Sequence, residues 1–438
     1  MDKGIVWEPS LRKNPNISRS RLATLFVTGA CIALFYYLKA GFANNYVAPL
    51  ISQHCEHLGP ISAAEFQARQ NSLAKTLVKL NASAYIAEPG PSSLFYGNFS
   101  NWGLSERPLL LIITPQLTGD NIEAKVSILT PAFEAPRAKM LPISSTKAVT
   151  FIEWAEEANP YEHAVSILSE SQGSVFVDGH MRNFIVDGLQ AAHPYGAVSS
   201  APYEIKRLRE RKSPAEIELM KCVNEATILF IRAVRKRLYF GIRESEARAM
   251  MQATFASAGL KDGGCLVLFG ENAGLPHGAG TDRALGVHDF ALFDCVASLH
   301  GYKSDVTRTV ALPGSKIPAE HLKIWHDVRA AQTAAVGAAH EGVIAAEVDK
   351  AARASLNSEY FTHRLGHGIG LEVHEDPYLN GGSKTILETG HAFSNEPGIY
   401  QVGKVGVRLE DCFYVHENGS AVFLTAGVGG QAKSPWSP

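Results

Sequence analysis

Histidines, acids and glycines crowd into His363-Arg364-Leu365-Gly366-His367-Gly368-Ile369-Gly370-Leu371-Glu372-Val373-His374-Glu375. Glycine lets a backbone approach a ligand or a second strand closely. Ile369, Leu371 and Val373 alternate with Gly370, Glu372 and His374, a strand-like pattern with one apolar face. His367 and His374 stand seven positions apart, so a regular strand points them to opposite faces. A bend or bulge at the glycines is required if both serve one site. The structural alternative is a satisfied pair of core histidines.

The acids follow a symmetric arrangement. Asp294 and Asp305 are equally distant from a turn centred between Leu299 and His300, and Glu396 and Glu410 are equally distant from Gly403. Residues directly opposed in an antiparallel pair have Cβ atoms about 4.5–5.5 Å apart. Opposed carboxylates repel unless something positive lies between them. Two divalent ions about 3.5–4 Å apart would supply that charge, with His367 as the nitrogen ligand. Solvated hairpin acids are the alternative reading, but Leu292-Phe293 beside Asp294 and Phe393 near Glu396 argue for burial.

The elements that must position these groups recur. Ser213-Pro214-Ala215-Glu216 combines an N-cap, a proline at the first helical position and a glutamate at the third, opening a helix to about Arg235. A second helix runs from about Glu244 to Ser257, followed by a hairpin, Asp289–Leu299 with Gly301–Leu312. Helices over 318–339 and 346–357 and a hairpin of His391–Gln401 with Val405–His416 repeat the pattern. Two helix–helix–hairpin halves predict a pseudo-twofold domain with a site on its axis. Upstream, Ser62-Ala63-Ala64-Glu65 is a capping box for a helix to about Leu80. Apolar runs at Ala84–Ala87, Leu109–Thr114, Val126–Leu129 and Val175–Val177 suggest a smaller α/β domain.

With 438 residues, 46% of them hydrophobic, the chain is too long for one core and predicts two folded domains. A net charge of −2 without a long basic run excludes nucleic acid as a partner. The six cysteines are scattered, with neither a CxxC pair nor a dense disulfide framework.

Leu22–Leu38 is an apolar run between Arg21 and Lys39, just long enough to span a bilayer core. Lys3, Arg12, Lys13, Arg19 and Arg21 before it favour a cytoplasmic N-terminus and a luminal or extracellular body. A signal peptide cleaved at Gly41-Phe42-Ala43, giving a secreted protein, is the competing reading. Three glycosylation sequons, beginning at Asn81, Asn98 and Asn418, agree with either. The expected organisation is a basic tail over 1–21, a transmembrane signal-anchor over 22–38, a stalk over 39–60, an N-terminal domain over 61–203, a catalytic domain over 204–428 and a tail over 429–438.

Leu292-Phe293-Asp294 with Gly301-Tyr302-Lys303-Ser304-Asp305-Val306-Thr307-Arg308-Thr309 resembles the first metal segment of the M24 metallopeptidases. The histidine string resembles the proline-peptidase signature of that family, and Asn395–Tyr400 and Gly406–Asp411 are similar to its third and fourth segments. The resemblance covers roughly 204–425, and 61–203 resembles more loosely the family's creatinase-like N-terminal domain. It implies an α+β protein, a C-terminal pseudo-twofold pita-bread domain preceded by a smaller α/β creatinase-like one. It further implies Asp294, Asp305, His367, Glu396 and Glu410 as ligands of two divalent metals, manganese or else cobalt, zinc or iron. Catalytic roles fall to His277, His374 and Glu396, and substrate contacts to His363 and Arg408; for Arg408 a bond to Glu410 or Asp294 is the alternative. The implied activity is hydrolysis of an Xaa-Pro bond, as an aminopeptidase or a dipeptidase, on a small peptide with proline in second position. A creatinase-type hydrolase, a metal-dependent dimethylsulfoniopropionate lyase and a non-catalytic membrane-tethered binding module are the alternatives. A homodimer is expected.

Overall fold

A computed structural model describes residues 53–438 apart from 169–172 and 279. Of these, all belong to one compact unit.

Six strands build the first sheet: β1 (Ala82–Ala87), β2 (Leu110–Thr118), β3 (Asn121–Pro131), β4 (Thr150–Trp154), β5 (Ser174–Val177) and β6 (Val198–Ser200), in the order β4-β3-β2-β1-β5-β6. Helices α1 (Ala63–Lys79), α2 (Pro91–Gly97), α3 (Ala135–Ala138), α4 (Pro160–Val165) and α5 (Asn183–Ala192) accompany it. The expected strands are present. Strands β4 and β6 were not legible, being short and mostly half-exposed or exposed. Ser62 caps α1 by accepting from the Glu65 amide, but Glu65 turns to Arg69 and Ser213 instead of closing the box.

Helix α6 (Tyr203–Glu210) leads to α7 (Pro214–Arg235), where Ser213 and Glu216 form the predicted reciprocal cap. Then follow α8 (Glu244–Ser257) and a three-stranded sheet of β7 (Lys261–Phe269), β8 (Ala291–Leu299) and β9 (Tyr302–Val310). The second half repeats the plan with α9 (Ala319–Ala338) and α10 (Ala345–Leu356). Its strands are β10 (Gly366–Gly368), β11 (Glu375–Leu379), β12 (Ala392–Asn395), β13 (Gly398–Gln401), β14 (Val405–Arg408), β15 (Asp411–Val415) and β16 (Ala421–Phe423). They form a five-stranded sheet, β11-β10-β12-β15-β16, and a separate pair, β13-β14.

The two parts share a core. Phe66 and Leu73 of α1 and Leu111 of β2 lie in one apolar cluster with Ile217 and Met220 of α7, Tyr302, Ile369, Leu371 and Tyr414. Arg69 adds polar links across the same seam, donating to Tyr302 Oη at 3.1 Å and pairing with Glu216 at 3.3 Å. Residues 429–438 pack onto the body: Ala311 N donates to Pro435 O, and Trp436 Nε1 donates to Leu312 O.

The membrane expectation is corrected. Among the described residues no helix is long and apolar enough to cross a bilayer. The run Leu22–Leu38, with the tail and most of the stalk flanking it, lies outside them, so single-pass anchoring and a membrane localisation have no support. Among the described residues two disulfides occur, Cys55–Cys222 and Cys265–Cys295, the second joining directly paired positions of β7 and β8.

Candidate metal centre

The first acid pair is displaced from its expected register. Strands β8 and β9 pair Asp294 with Thr307 and Asp305 with Val296, so the two aspartates are diagonal neighbours on one face. His300 and Gly301 both have positive φ, 50° and 93°, and form the two central residues of the turn, shifting its centre by one position. The second pair keeps its register. Pairs Ala392–Tyr414 to Asn395–Asp411 and pairs Gly398–Arg408 to Gln401–Val405 share one alignment, which places Glu396 opposite Glu410 where the ladder breaks. Both glutamates leave the ladder there and turn inward.

The histidine string does bend. Strand β10 ends at Gly368 and its pairing with β11 slips between His367 and Gly368. Gly366 is required, because a Cβ there would stand 2.0 Å from Ser394 O across the β10–β12 pair. After the bend the rings of His367 and His374 are 4.2 Å apart, edge to face.

Ligand-type atoms of Asp294, Asp305 and Glu410, of His367, Glu396 and Glu410, and of Asp305, His367 and His374 each gather within 4.8 Å. His367 is buried and its Nδ1 faces Gly368 O at 3.1 Å, where only a donated proton bonds. Its Nε2 then faces Glu396 Oε1 at 3.3 Å and Asp305 Oδ2 at 3.5 Å. Thr307 Oγ1 donates to Glu410 Oε2, but Glu410 Oε1 is buried without a partner among the described residues. Burial, then the neighbouring carboxylates, push Asp305 and Glu410 well above the usual carboxylate range. Without a cation, burial raises Glu396, but a proton on His367 Nε2, through its hydrogen bond and charge, outweighs burial and holds the group at about 2; a cation bound at Nε2 would take the place of that proton.

A second chain of contacts closes the site. Arg408, 1% exposed, donates to Asp294 Oδ2 at 2.6 Å, to Tyr400 Oη at 3.0 Å and to Thr307 Oγ1 at 3.2 Å. His363 Nδ1 donates to Arg364 O at 2.6 Å, so its Nε2 accepts from Tyr400 Oη at 2.8 Å. Burial lowers the pKa of His363, and burial followed by His367 lowers that of His374 to about 4, so both rings are neutral at pH 7. His277 is exposed beyond the turn Gly270–Gly274, near enough to disfavour protonation of both. Tyr400, Thr307 and Ser394 were not singled out in the sequence, since their importance lies only in what they touch.

The loop carrying His374 is clamped from behind. Lys212 Nζ, buried between α6 and α7, donates to Glu375 Oε1 at 2.5 Å and to the carbonyls of Arg209 and Glu210. Arg209 bonds Glu372 and lies 3.4 Å from Glu375. Gly370 passes over this pair, where a Cβ would come within 2.7 Å of both Glu375 Oε1 and Lys212 Cε.

The sequence profile of metallopeptidase family M24 matches residues 218–417. An uncharacterised peptidase of Schizosaccharomyces pombe is 38% identical over 408 residues, covering 90% of this chain and 87% of its own. The chain belongs to metallopeptidase family M24. An Xaa-Pro dipeptidase of Pyrococcus furiosus is 34% identical over 224 residues, which is 49% of this chain and 63% of that one. The solved dipeptidase PepE of Mycobacterium ulcerans superposes with a TM-score of 0.75 at 29% identity, covering 84% of this chain and 97% of that one. The pita-bread expectation holds, with the M24 match in the C-terminal region and the neighbour extending over the N-terminal sheet.

M24 enzymes use divalent metals, and the donor set fits them. The orphaned Glu410 Oε1, two carboxyls pushed upward by burial and then by their carboxylate neighbours, and an imidazole nitrogen aimed at two acids would all be relieved by cations among them.

Proposed function

We propose that this M24 enzyme is a dinuclear Xaa-Pro dipeptidase, with Asp294, Asp305, His367, Glu396 and Glu410 holding two divalent ions. The observation that carries this is the orientation of His367: with Nδ1–H committed to Gly368 O, Nε2 is free to bind a cation between Asp305 and Glu396. Manganese, cobalt, zinc and iron all suit carboxylate-rich ligation with one imidazole. The dipeptide preference follows the likeness to the Xaa-Pro dipeptidase of Pyrococcus furiosus and the dipeptidase PepE of Mycobacterium ulcerans.

When bound, such ions lower the pKa of a water and polarise the scissile carbonyl. Glu396 takes a proton from the attacking water and passes it to the prolyl nitrogen as the C–N bond breaks. Neutral His374 donates a hydrogen bond to the carbonyl oxygen as negative charge builds there. His277 assists from the exposed side, and His363 lines the substrate's path, held by Tyr400. Proline after the scissile bond offers no N–H, so ring shape replaces a hydrogen bond in its recognition.

The test is metal analysis of the purified protein together with release of the N-terminal amino acid from Xaa-Pro dipeptides and from longer Xaa-Pro peptides, with dimethyl sulfide release from dimethylsulfoniopropionate as a non-peptide control. Dipeptides should be cleaved, activity should vanish with chelator, and an added divalent ion should restore it. Cleavage of longer peptides alone would move the reading to an aminopeptidase. Cleavage of no Xaa-Pro bond, in dipeptide or longer peptide, under any metal would reject it.

A further inference from the structure

The loop that carries His277 leaves β7 at Phe269 and comes back beside the start of α8, where Ala284 bridges Arg243 and Glu244 N donates to Arg283 O at 3.2 Å. Its near side is fixed against the metal centre. The turn Gly270–Gly274 meets β13 and β14 so closely that a Cβ on Gly274 would stand 2.6 Å from Gln401 O, and one on Gly406 1.7 Å from Ala273 O. Arg408 Nη1 reaches Pro276 O at 3.4 Å. His277 is exposed and its ring makes no hydrogen bond among the described residues, so the course of the loop sets where the ring stands.

One buried carboxylate ties the remainder. Glu244, the first residue of α8 and 1% exposed, accepts at Oε1 from Phe269 N at 2.7 Å and from Asn272 Nδ2 at 2.9 Å. Its Oε2 accepts from Arg283 N and from Asn272 Nδ2, both at 3.1 Å. Gly280 lies against the same oxygen, and a Cβ there would come within 2.1 Å of it. The helix dipole alone favours an acid in the first turn. This one, however, directs its side-chain oxygens away from the helix, to both ends of the loop and to its interior. The donors are neutral N–H groups, and the guanidinium of Arg283 turns to Asp289 and Glu271 instead. Hydrogen bonds to an ionised acceptor are about twice as strong as neutral ones. Removing the acceptor would also leave buried N–H groups unsatisfied.

We propose that Glu244 is a positioning residue, closing the loop at its base and so setting where His277 meets the substrate. This rests on the role given to His277 in the Xaa-Pro peptidase reading. Glutamine at position 244 keeps the shape but turns one oxygen into an NH2 that faces a backbone N–H. The loop then loses an anchor, whereas the five proposed metal ligands lie on none of it.

The experiment measures Ala-Pro cleavage, metal content and amide hydrogen exchange over residues 270–278 in the metal-loaded protein and its Glu244→Gln, His277→Ala and double variants. Glu244→Gln should lower kcat about tenfold, as a misplaced group does, with metal content unchanged and faster exchange over the loop. In the His277→Ala background it should lower kcat no further, because groups that act as a unit are not additive. An unchanged kcat, a loss that multiplies with that of His277→Ala, or a fall in metal content would overturn the proposal. Asn272→Ala removes the interior link and leaves both backbone ends bonded. It replaces Glu244→Gln if that variant does not fold, with the same pattern expected at smaller size and the same outcomes against it. If the unsubstituted protein cleaves no Xaa-Pro bond, the peptidase reading fails and exchange alone decides. Faster exchange in the variant then upholds the hold of Glu244 on the loop, and unchanged exchange overturns it.

Discussion

Arg408 Nη2 donates to Asp294 Oδ2 at 2.6 Å, inside a site whose other carboxylates belong to Asp305, Glu396 and Glu410. The guanidinium is 1% exposed and acts as a fixed countercharge to the acid cluster. Removing one partner of such a pair strands a buried charge, which typically costs about 3–5 kcal/mol. Arg408→Met should lower the unfolding free energy of metal-stripped protein by that amount, with a smaller loss once a divalent ion is added. Denaturant titrations with and without the ion test this, and a loss below about 1 kcal/mol would show that Arg408 is not the countercharge.

Metal binding should release protons. Without a cation, Asp305 and Glu410 are held well above the ordinary range, first by burial and then by their carboxylate neighbours. For groups whose folded pKa is raised, the stabilising contribution is full below the unfolded value, about 4, and is lost as pH rises. Metal-stripped protein should therefore weaken with rising pH, and metal affinity should increase with it. Calorimetry in two buffers of different ionisation enthalpy should record net proton release at pH 7. Binding with no proton release would contradict the inferred protonation.

His367 and His374 should separate in a mutation series. His367→Ala should lose metal, whereas His374→Ala should keep metal and lose turnover by about 10²–10³, the range for one oxyanion-type donor. Ring contact at 4.2 Å makes the comparison strict. Equal loss of metal in the two variants would make His374 a ligand, as its grouping with Asp305 and His367 permits.

Lys212 positions the histidine loop through Glu375. Lys212→Met should reduce kcat by about 10²-fold through misplacement of His374, with metal content unchanged. Lys212→Arg, which keeps the charge, should recover part of the loss. An unchanged kcat in a folded Lys212→Met protein would remove the positioning role.

Much of the site could be read from residue types: Asp294, Asp305, His367, Glu396 and Glu410 carry their chemistry in their side chains. The register of the first pair was less legible, because the turn places His300 at positive φ, and histidine does not announce that conformation as Asn or Gly would. Strand β7 was hidden by Gly263 and Gly264, which weaken a strand pattern; its partner β8 supplies the pairing. The bend between His367 and His374 was required by logic, but its form depends on Ser394 and Glu375, remote or unremarkable in sequence. In the sequence Lys212 is one of four cations, with Arg207, Arg209 and Arg211, just before a helix; only the fold brings it to Glu375, 163 positions away.

That link bears on how far the chain can be shortened. The segment 218–417, which matches the M24 profile, begins beyond Lys212 and Glu216. A fragment cut to those limits would bury Glu375 without Lys212 and Arg209, and Tyr302 without its acceptor Glu216 or its donor Arg69. The N-terminal layer adds a share of its own: a fragment beginning beyond α1 would leave Tyr302 and Glu216 without Arg69, and Ile217, Met220 and Ile369 without Phe66 and Leu73.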